Sequence, residues 1–185
     1  MNPDEFKKIF HNHLEEVVKF QKEKLPKIIG VEAVNHYTQS FVNEGFEDKN
    51  IKKWHDVKRR NPESEWYGFS YGSNSANSNK PKRKKEEINK GITNFSPEAT
   101  KNKILTGSTS ELKNSIHYVI KSDRVTVGTD KPYAAVHQFG MPAKVFGKAE
   151  FIMKPRPFIG KSDILNDSIR EKIENELKRI LKSQE

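Results

Sequence analysis

The sequence predicts an α+β fold on three observations: a helical apolar period at the N-terminus, the same period at the C-terminus, and an alternating apolar run with a central turn between them. The expected sheet is small and antiparallel or mixed, built from a hairpin at about 116–129 and a strand at about 150–154. Two N-terminal helices and one C-terminal helix would pack it. A long mobile loop would separate the first two helices from the strands.

The first helix has its start written in Asn2, Pro3 and Glu5. Asn2 can accept from the free amides, proline suits the first helical position, and Glu5 stands where a capping-box acid reaches back. Phe6, Phe10, Leu14, Val17, Val18 and Leu25 then share one face, with Lys7, Lys8, Glu15, Glu16, Lys19, Lys22 and Glu23 on the other. Pro26 should end or break this helix. A second stripe runs through Ile29, Ala33, Tyr37 and Phe41, and Gly45 should close it in the left-handed conformation, with Phe46 folding back on Phe41.

Residues 47–67 hold Trp54 and Trp66 among charges without a clean period, which predicts an irregular excursion anchored by aromatics. From 68 to 103 apolar residues are sparse, and the polar run 73–79 leads into Lys80, Lys82, Arg83, Lys84 and Lys85. Such a stretch cannot bury enough surface to order itself, so it reads as a flexible polar and basic insertion. A short helical piece is expected around Leu112–Ser115. Ile116, Tyr118 and Ile120 alternate with His117, Val119 and Lys121, and Ser122-Asp123 turns the chain into Val125-Thr126-Val127. Residues 133–139 fit either a short helix or an extended segment. Phe151-Ile152-Met153 reads as a strand that Pro155 and Pro157 terminate. The last helix begins near Asp163, with Leu165, Ile169, Ile173, Leu177 and Ile180 in register.

Composition limits the function. With 185 residues, one domain spanning 1–185 is the expectation, and a large multi-domain enzyme is excluded. The absence of cysteine removes disulfides, thiolate metal sites and cysteine nucleophiles together. Neither a signal-peptide run nor an 18-residue apolar stretch occurs, so the expectation is a protein kept in the cytoplasm or leaving by a route that needs no signal, with no membrane partner. Lys plus Arg number 34 against 25 Asp plus Glu, a formal charge of +9. The concentrated part of that excess is the 80–85 run, which could neutralise phosphates without reading sequence, although Glu86 and Glu87 follow at once.

Catalytic motifs are missing. The string His11-Asn12-His13 suggests a metal nuclease only in letters, because positions 11 and 13 of a helix point about 200° apart. His137 has no nucleophile or paired acid at a useful spacing, and no Gly-rich phosphate loop, Gly-x-Ser-x-Gly or HExxH occurs. The expectation is therefore a non-enzyme with no catalytic residue, metal or cofactor, in which His137 serves packing or an interface.

The stretch from Ile104 to Gly160 resembles the phage virion morphogenesis family, which includes tail completion proteins of Mu-like and related phages. Five pieces carry the likeness in order: Leu105-Thr106-Gly107, Leu112–Ile116, the hairpin ending Val125–Thr129, Tyr133–Gly140, and Pro155-Arg156-Pro157-Phe158-Ile159-Gly160. Phe41 to Trp54 looks like the N-terminal half of the same family. Ser108–Glu111 lengthens the usual spacing before Leu112, and the polar segment 73–90 is long for the family. The resemblance implies a structural protein that completes the tail or joins tail to head without catalysis. It would act as a homo-oligomeric ring that can be monomeric in isolation, assembled in the host bacterial cytoplasm and retained in the virion, with other tail and head-connector proteins as partners. Tyr133, His137, Gln138, Phe139, Arg156 and Phe158 are the assembly candidates, with core closure the competing role for Arg156 and Phe158. The rival reading is a basic nucleic-acid-binding module using Lys80, Lys82, Arg83, Lys84 and Lys85.

Overall fold

The computed structural model describes residues 2–70, 95–107, 109–122, 124–144 and 150–182. The fold is α+β, with small antiparallel two-stranded sheets among the helices. Helix α1 (Pro3–Lys19) begins with the expected capping box: Asn2 Oδ1 accepts from the Asp4 amide at 3.2 Å, and Glu5 Oε2 from the Asn2 amide at 3.0 Å. Pro26 does not break the helix. A π-helical turn at Phe20–Lys24 carries the chain into α2 (Leu25–Asn43) without interruption. Proline lacks an amide, and its ring collides with the carbonyl four residues back. The wider turn, in which the Leu25 amide reaches Phe20 O, relieves both problems.

Glu44, not Gly45, takes the left-handed conformation that ends α2, at φ 50°. Gly45 instead opens a ribbon of β1 (Gly45–Glu47) and β2 (Ile51–Lys53), where a Cβ would lie 2.6 Å from Lys52 O. Phe46 is buried and meets His36 edge-on at 6.1 Å. Phe41 packs on Trp54 and Phe158, with ring centroids at 5.6 and 5.3 Å. This ribbon had no visible period in the sequence, because two three-residue strands are too short to show one.

Glu44 holds the next connection in place. Its carboxylate accepts from both terminal nitrogens of Arg60, at 2.5 and 3.1 Å, and from the Ile104 amide at 2.6 Å. Arg60 foremost keeps the Glu44 carboxyl below its usual pKa. Arg59 donates to Ala99 O, Asn102 O and Lys103 O, closing the C-terminal end of a short helix, α3 (Pro97–Lys101). The Ser96 amide donates to Gly68 O at 2.7 Å, and Phe69 bridges Phe95. The flanks of the expected 68–103 insertion are therefore ordered secondary structure, with Ala99 and Ile104 buried. Two arginines from a distant turn order these flanks, which local composition could not reveal. Residues 71–94, including Lys80–Lys85, lie outside the described residues.

After α4 (Glu111–Asn114), the hairpin forms as β3 (His117–Lys121) and β4 (Arg124–Gly128), with Tyr118 opposite Val127 and Ile120 opposite Val125. It packs on α2, where Gly30 leaves room for the Tyr118 ring: a Cβ there would fall well inside van der Waals contact. The segment 133–139 resolves to a helix, α5 (Ala134–Phe139). The strand expected near 150–154 is β6 (Glu150–Ile152), but it pairs with β5 (Pro142–Lys144) and not with the hairpin. Helix α6 (Asp163–Lys182) packs along α2 and α1, tied by Ser168 and Lys172 to Glu32 at 2.9 and 2.7 Å. The core gathers Phe41, Trp54, Ile104, Leu112, Ile116, Ala134 and Phe158.

Candidate assembly site

The segment Pro155–Gly160 crosses the core as an extended strap. Buried irregular backbone must find partners for its amides and carbonyls, and one main-chain carbonyl and four side chains supply them. The Arg156 amide donates to His137 O at 2.7 Å. Trp54 Nε1 donates to Pro157 O at 2.8 Å, and Tyr37 OH to Gly160 O at 2.9 Å. Ser40 Oγ lies 3.5 Å from Phe158 O. Gln138 makes three of the bonds: its Oε1 accepts from the amides of Phe158 and Ile159 at 2.9 and 3.2 Å, and its Nε2 donates to Ile159 O at 2.6 Å. A side-chain amide thus imitates the edge of a neighbouring strand.

Helix α5 can hold Gln138 there because Gly140 stops it in the left-handed conformation at φ 71°. Any Cβ at Gly140 would also meet Met153 O at 2.8 Å and Pro155 Cδ at 2.9 Å. The Tyr133–Gly140 and Pro155–Gly160 pieces, separate in sequence, are two halves of one contact.

Arg156 and Phe158 are both turned inward. Phe158 is 1% exposed, between Phe41 and the rest of the core. The Arg156 guanidinium is buried, donating to His55 O at 3.1 Å, with Asp56 O at 3.4 Å and Met153 Sδ at 3.5 Å. Desolvation works against its charge, and Asp56 works in its favour. As placed, neither side chain is open to a partner, and both close the core.

His137 is half-buried, with the Tyr133 ring edge-on at 6.2 Å. Burial first, and the Arg156 charge second, depress its pKa from 6.5 to about 4, so it is neutral at pH 7. Its Nδ1 is buried without a hydrogen-bond partner among the described residues. A histidine acting as general base is held in orientation by a partner, and among the described residues no carboxylate contacts this ring. His11 and His13 follow the plain reading: His11 pairs with Glu15 at 3.2 Å on an exposed helix surface, and His13 is half-buried. No three metal-ligating side chains cluster among the described residues, and no described helix is long and apolar enough to cross a membrane.

Two of the six candidates face outward. Phe139 is 72% exposed and Tyr133 also lies at the surface. The structure adds neighbours that the sequence reading missed: Met141 follows Phe139, and Phe151 and Ile152 are exposed on the β5–β6 ribbon. The ladder continues from Met141 to Met153, whose amide donates to Met141 O at 3.2 Å. Ile152 is 77% exposed, an unusual place for a large aliphatic side chain. The signal was present as a short apolar strand, but its exposure could not be read from it.

The core strap, the Gln138 clamp and the apolar rim lie within the stretch 77–178, which matches the model of the phage virion morphogenesis family over more than half of the chain. The chain belongs to that family. No curated protein and no solved structure matches it. A role in building a phage virion follows from family membership, and the residues described above are the means available for it.

Proposed function

We propose that this chain is a structural subunit that completes the phage tail, or joins it to the head, as a single domain acting by assembly and without catalysis. The observation that supports this best is the apolar rim at the end of α5 and along the ribbon after it, where Phe139, Met141 and Ile152 are exposed, next in the chain to a strap whose every described partner is internal. A rigid core with an apolar rim suits repeated docking of subunits around a ring, where one patch meets a different patch on the next copy. Its partners would be tail and head-connector proteins, met in the host cytoplasm and kept in the virion.

The test is complementation of a phage or prophage lacking this gene. The wild-type chain should restore infectious particles, whereas Phe139→Glu with Ile152→Glu should leave heads and tails unjoined in electron micrographs of the lysate. Full particle yield from the double variant would remove the rim from the reading. Normal particles from the gene deletion would remove the reading itself. The alternative, a basic nucleic-acid-binding module, rests on Lys80, Lys82, Arg83, Lys84 and Lys85, which lie outside the described residues.

A further inference from the structure

The β5–β6 ribbon buries little of itself in the fold. Each of its strand residues except Ala143 is exposed, and among the described residues no further strand lies beside either edge. A two-stranded ribbon is marginal in water by itself, and an open strand edge is a template for another strand. The two edges are not alike. The Met153 amide donates to Met141 O, so Met141 and Met153 form a hydrogen-bonded pair and fix the alternation of the ladder. Ala143 and Phe151, two residues on, therefore turn their main-chain groups towards each other, whereas Pro142 and Lys144 on β5, and Glu150 and Ile152 on β6, turn theirs outward. Pro142 has no amide to offer, which closes the β5 edge to a regular neighbour. The β6 edge has no such device. Glu150 and Ile152 each keep an amide and a carbonyl there, without a main-chain partner among the described residues, and Ile152 is 77% exposed beside them.

The register of the open edge decides its occupant. An antiparallel second copy of β6, turned about a two-fold axis at Phe151, brings Glu150 opposite Ile152 of the partner subunit at both ends, and each such pair exchanges two main-chain bonds. Phe151 then lies directly opposite Phe151 of the partner subunit, an aromatic pair at the closest cross-strand position. No charge is stranded, because Glu150 keeps Lys144 at 3.1 Å within its own ribbon and meets an apolar residue across the axis. A parallel copy would instead set Glu150 beside its own equivalent. The strands of the antiparallel pair run in the order β5, β6, β6, β5, so Pro142 stands at both outer edges and growth stops at two copies. A lone strand from elsewhere would present a new open edge in place of the old one.

We propose that two copies of this chain associate by antiparallel pairing of β6 with its equivalent, about a two-fold axis at Phe151, into a four-stranded sheet closed by Pro142 at each end. The contact is short, so the dimer is reversible and depends on concentration. It takes the edge of the ribbon, leaves Phe139 at the end of α5 open to other partners, and does not rest on the tail-assembly role.

The chain contains no cysteine, so a single introduced thiol reports on its own equivalent. Under oxidation by copper phenanthroline, full-length Phe151→Cys should form a covalent dimer at least about tenfold faster than Ala143→Cys at the same concentration. The pairing puts the Phe151 Cα about 4.5 Å from its equivalent, within disulfide reach, and the Ala143 Cα about 14 Å from its own, beyond it. Sedimentation velocity on the unmodified chain over a concentration series should show monomer passing to dimer. Ile152→Pro removes the edge amide without removing a bond of the β5–β6 ladder, and should weaken the dimer at least about tenfold. Ile152→Thr keeps that amide and a branched side chain, and should weaken it less. Circular dichroism reports whether each variant keeps the wild-type helix content. Cross-linking at equal rates from both thiols overturns the proposal, as does a dimer indifferent to Ile152→Pro or weakened equally by the threonine. A wild type that stays monomeric throughout the series also overturns it, and would assign the edge to a strand of another protein.

Discussion

The strap at Pro155–Gly160 and the outer line of α1 are opposite solutions to exposed apolar sequence. In the strap, prolines remove regular hydrogen bonding, yet distant side chains meet the remaining main-chain groups and Phe158 is sealed. In α1, main-chain bonding is supplied by the helix and its own capping side chains, yet Phe6, Phe10 and Leu14 face water. The difference shows that local regularity and burial are independent. A helix satisfies its own backbone and can wait for a partner, whereas an irregular segment persists only where the tertiary structure satisfies it.

Perturbing the strap should therefore be costly, and perturbing the outer faces cheap. The largest effect is expected from Phe158→Ala, about 4 kcal/mol of lost stability in urea unfolding, because a sealed ring leaves a cavity between Phe41 and the strap. A loss under about 1 kcal/mol would mean that the strap is not part of the core. Gln138→Leu comes next. It leaves two amides and one carbonyl of the strap without their partner, at a cost of about 3 kcal/mol, and hydrogen exchange at Phe158 and Ile159 should accelerate.

The acid response of His137 sharpens the contrast further. Its folded pKa of about 4 lies below the ordinary 6.5, so the unfolded chain binds the proton first. Its contribution is complete above pH 6.5 and is lost as the pH falls from 6.5 towards about 4. His137→Gln should flatten this part of the stability profile, and a profile identical to wild type would place the ring in solvent. The smallest effect is expected from Phe139→Ser, within about 0.5 kcal/mol in the isolated chain, even though it removes a large aromatic group. A marked loss of stability there would show that the rim is core and not a docking face.

Much of the local architecture was legible. Asn2 and Glu5 marked the first helix start, the alternation at 116–127 marked the hairpin, and Leu165 to Ile180 marked the last helix. Three positions were misread. Pro26 signals a break only if the helix cannot widen, and a π-turn lets it. Gly45 looked like a helix stop, but Glu44 bears that conformation while Arg60 and Ile104 hold its carboxylate. The 95–103 flank looked unstructured until Arg59 reached its carbonyls. The last two were decided by residues far along the chain, the first by the turn just before it.

The candidate site divided in the same way. Its six residues were found by order and type, yet Gln138, Arg156 and Phe158 turned inward while Phe139 and Tyr133 turned outward. By itself the sequence determined where helices and the hairpin form, since periodicity and capping act within a few residues. Only the tertiary structure decided which apolar side chains are sealed and which are left open. Burial depends on what arrives from elsewhere, and an apolar residue is chemically the same whether it closes a core or waits at a surface.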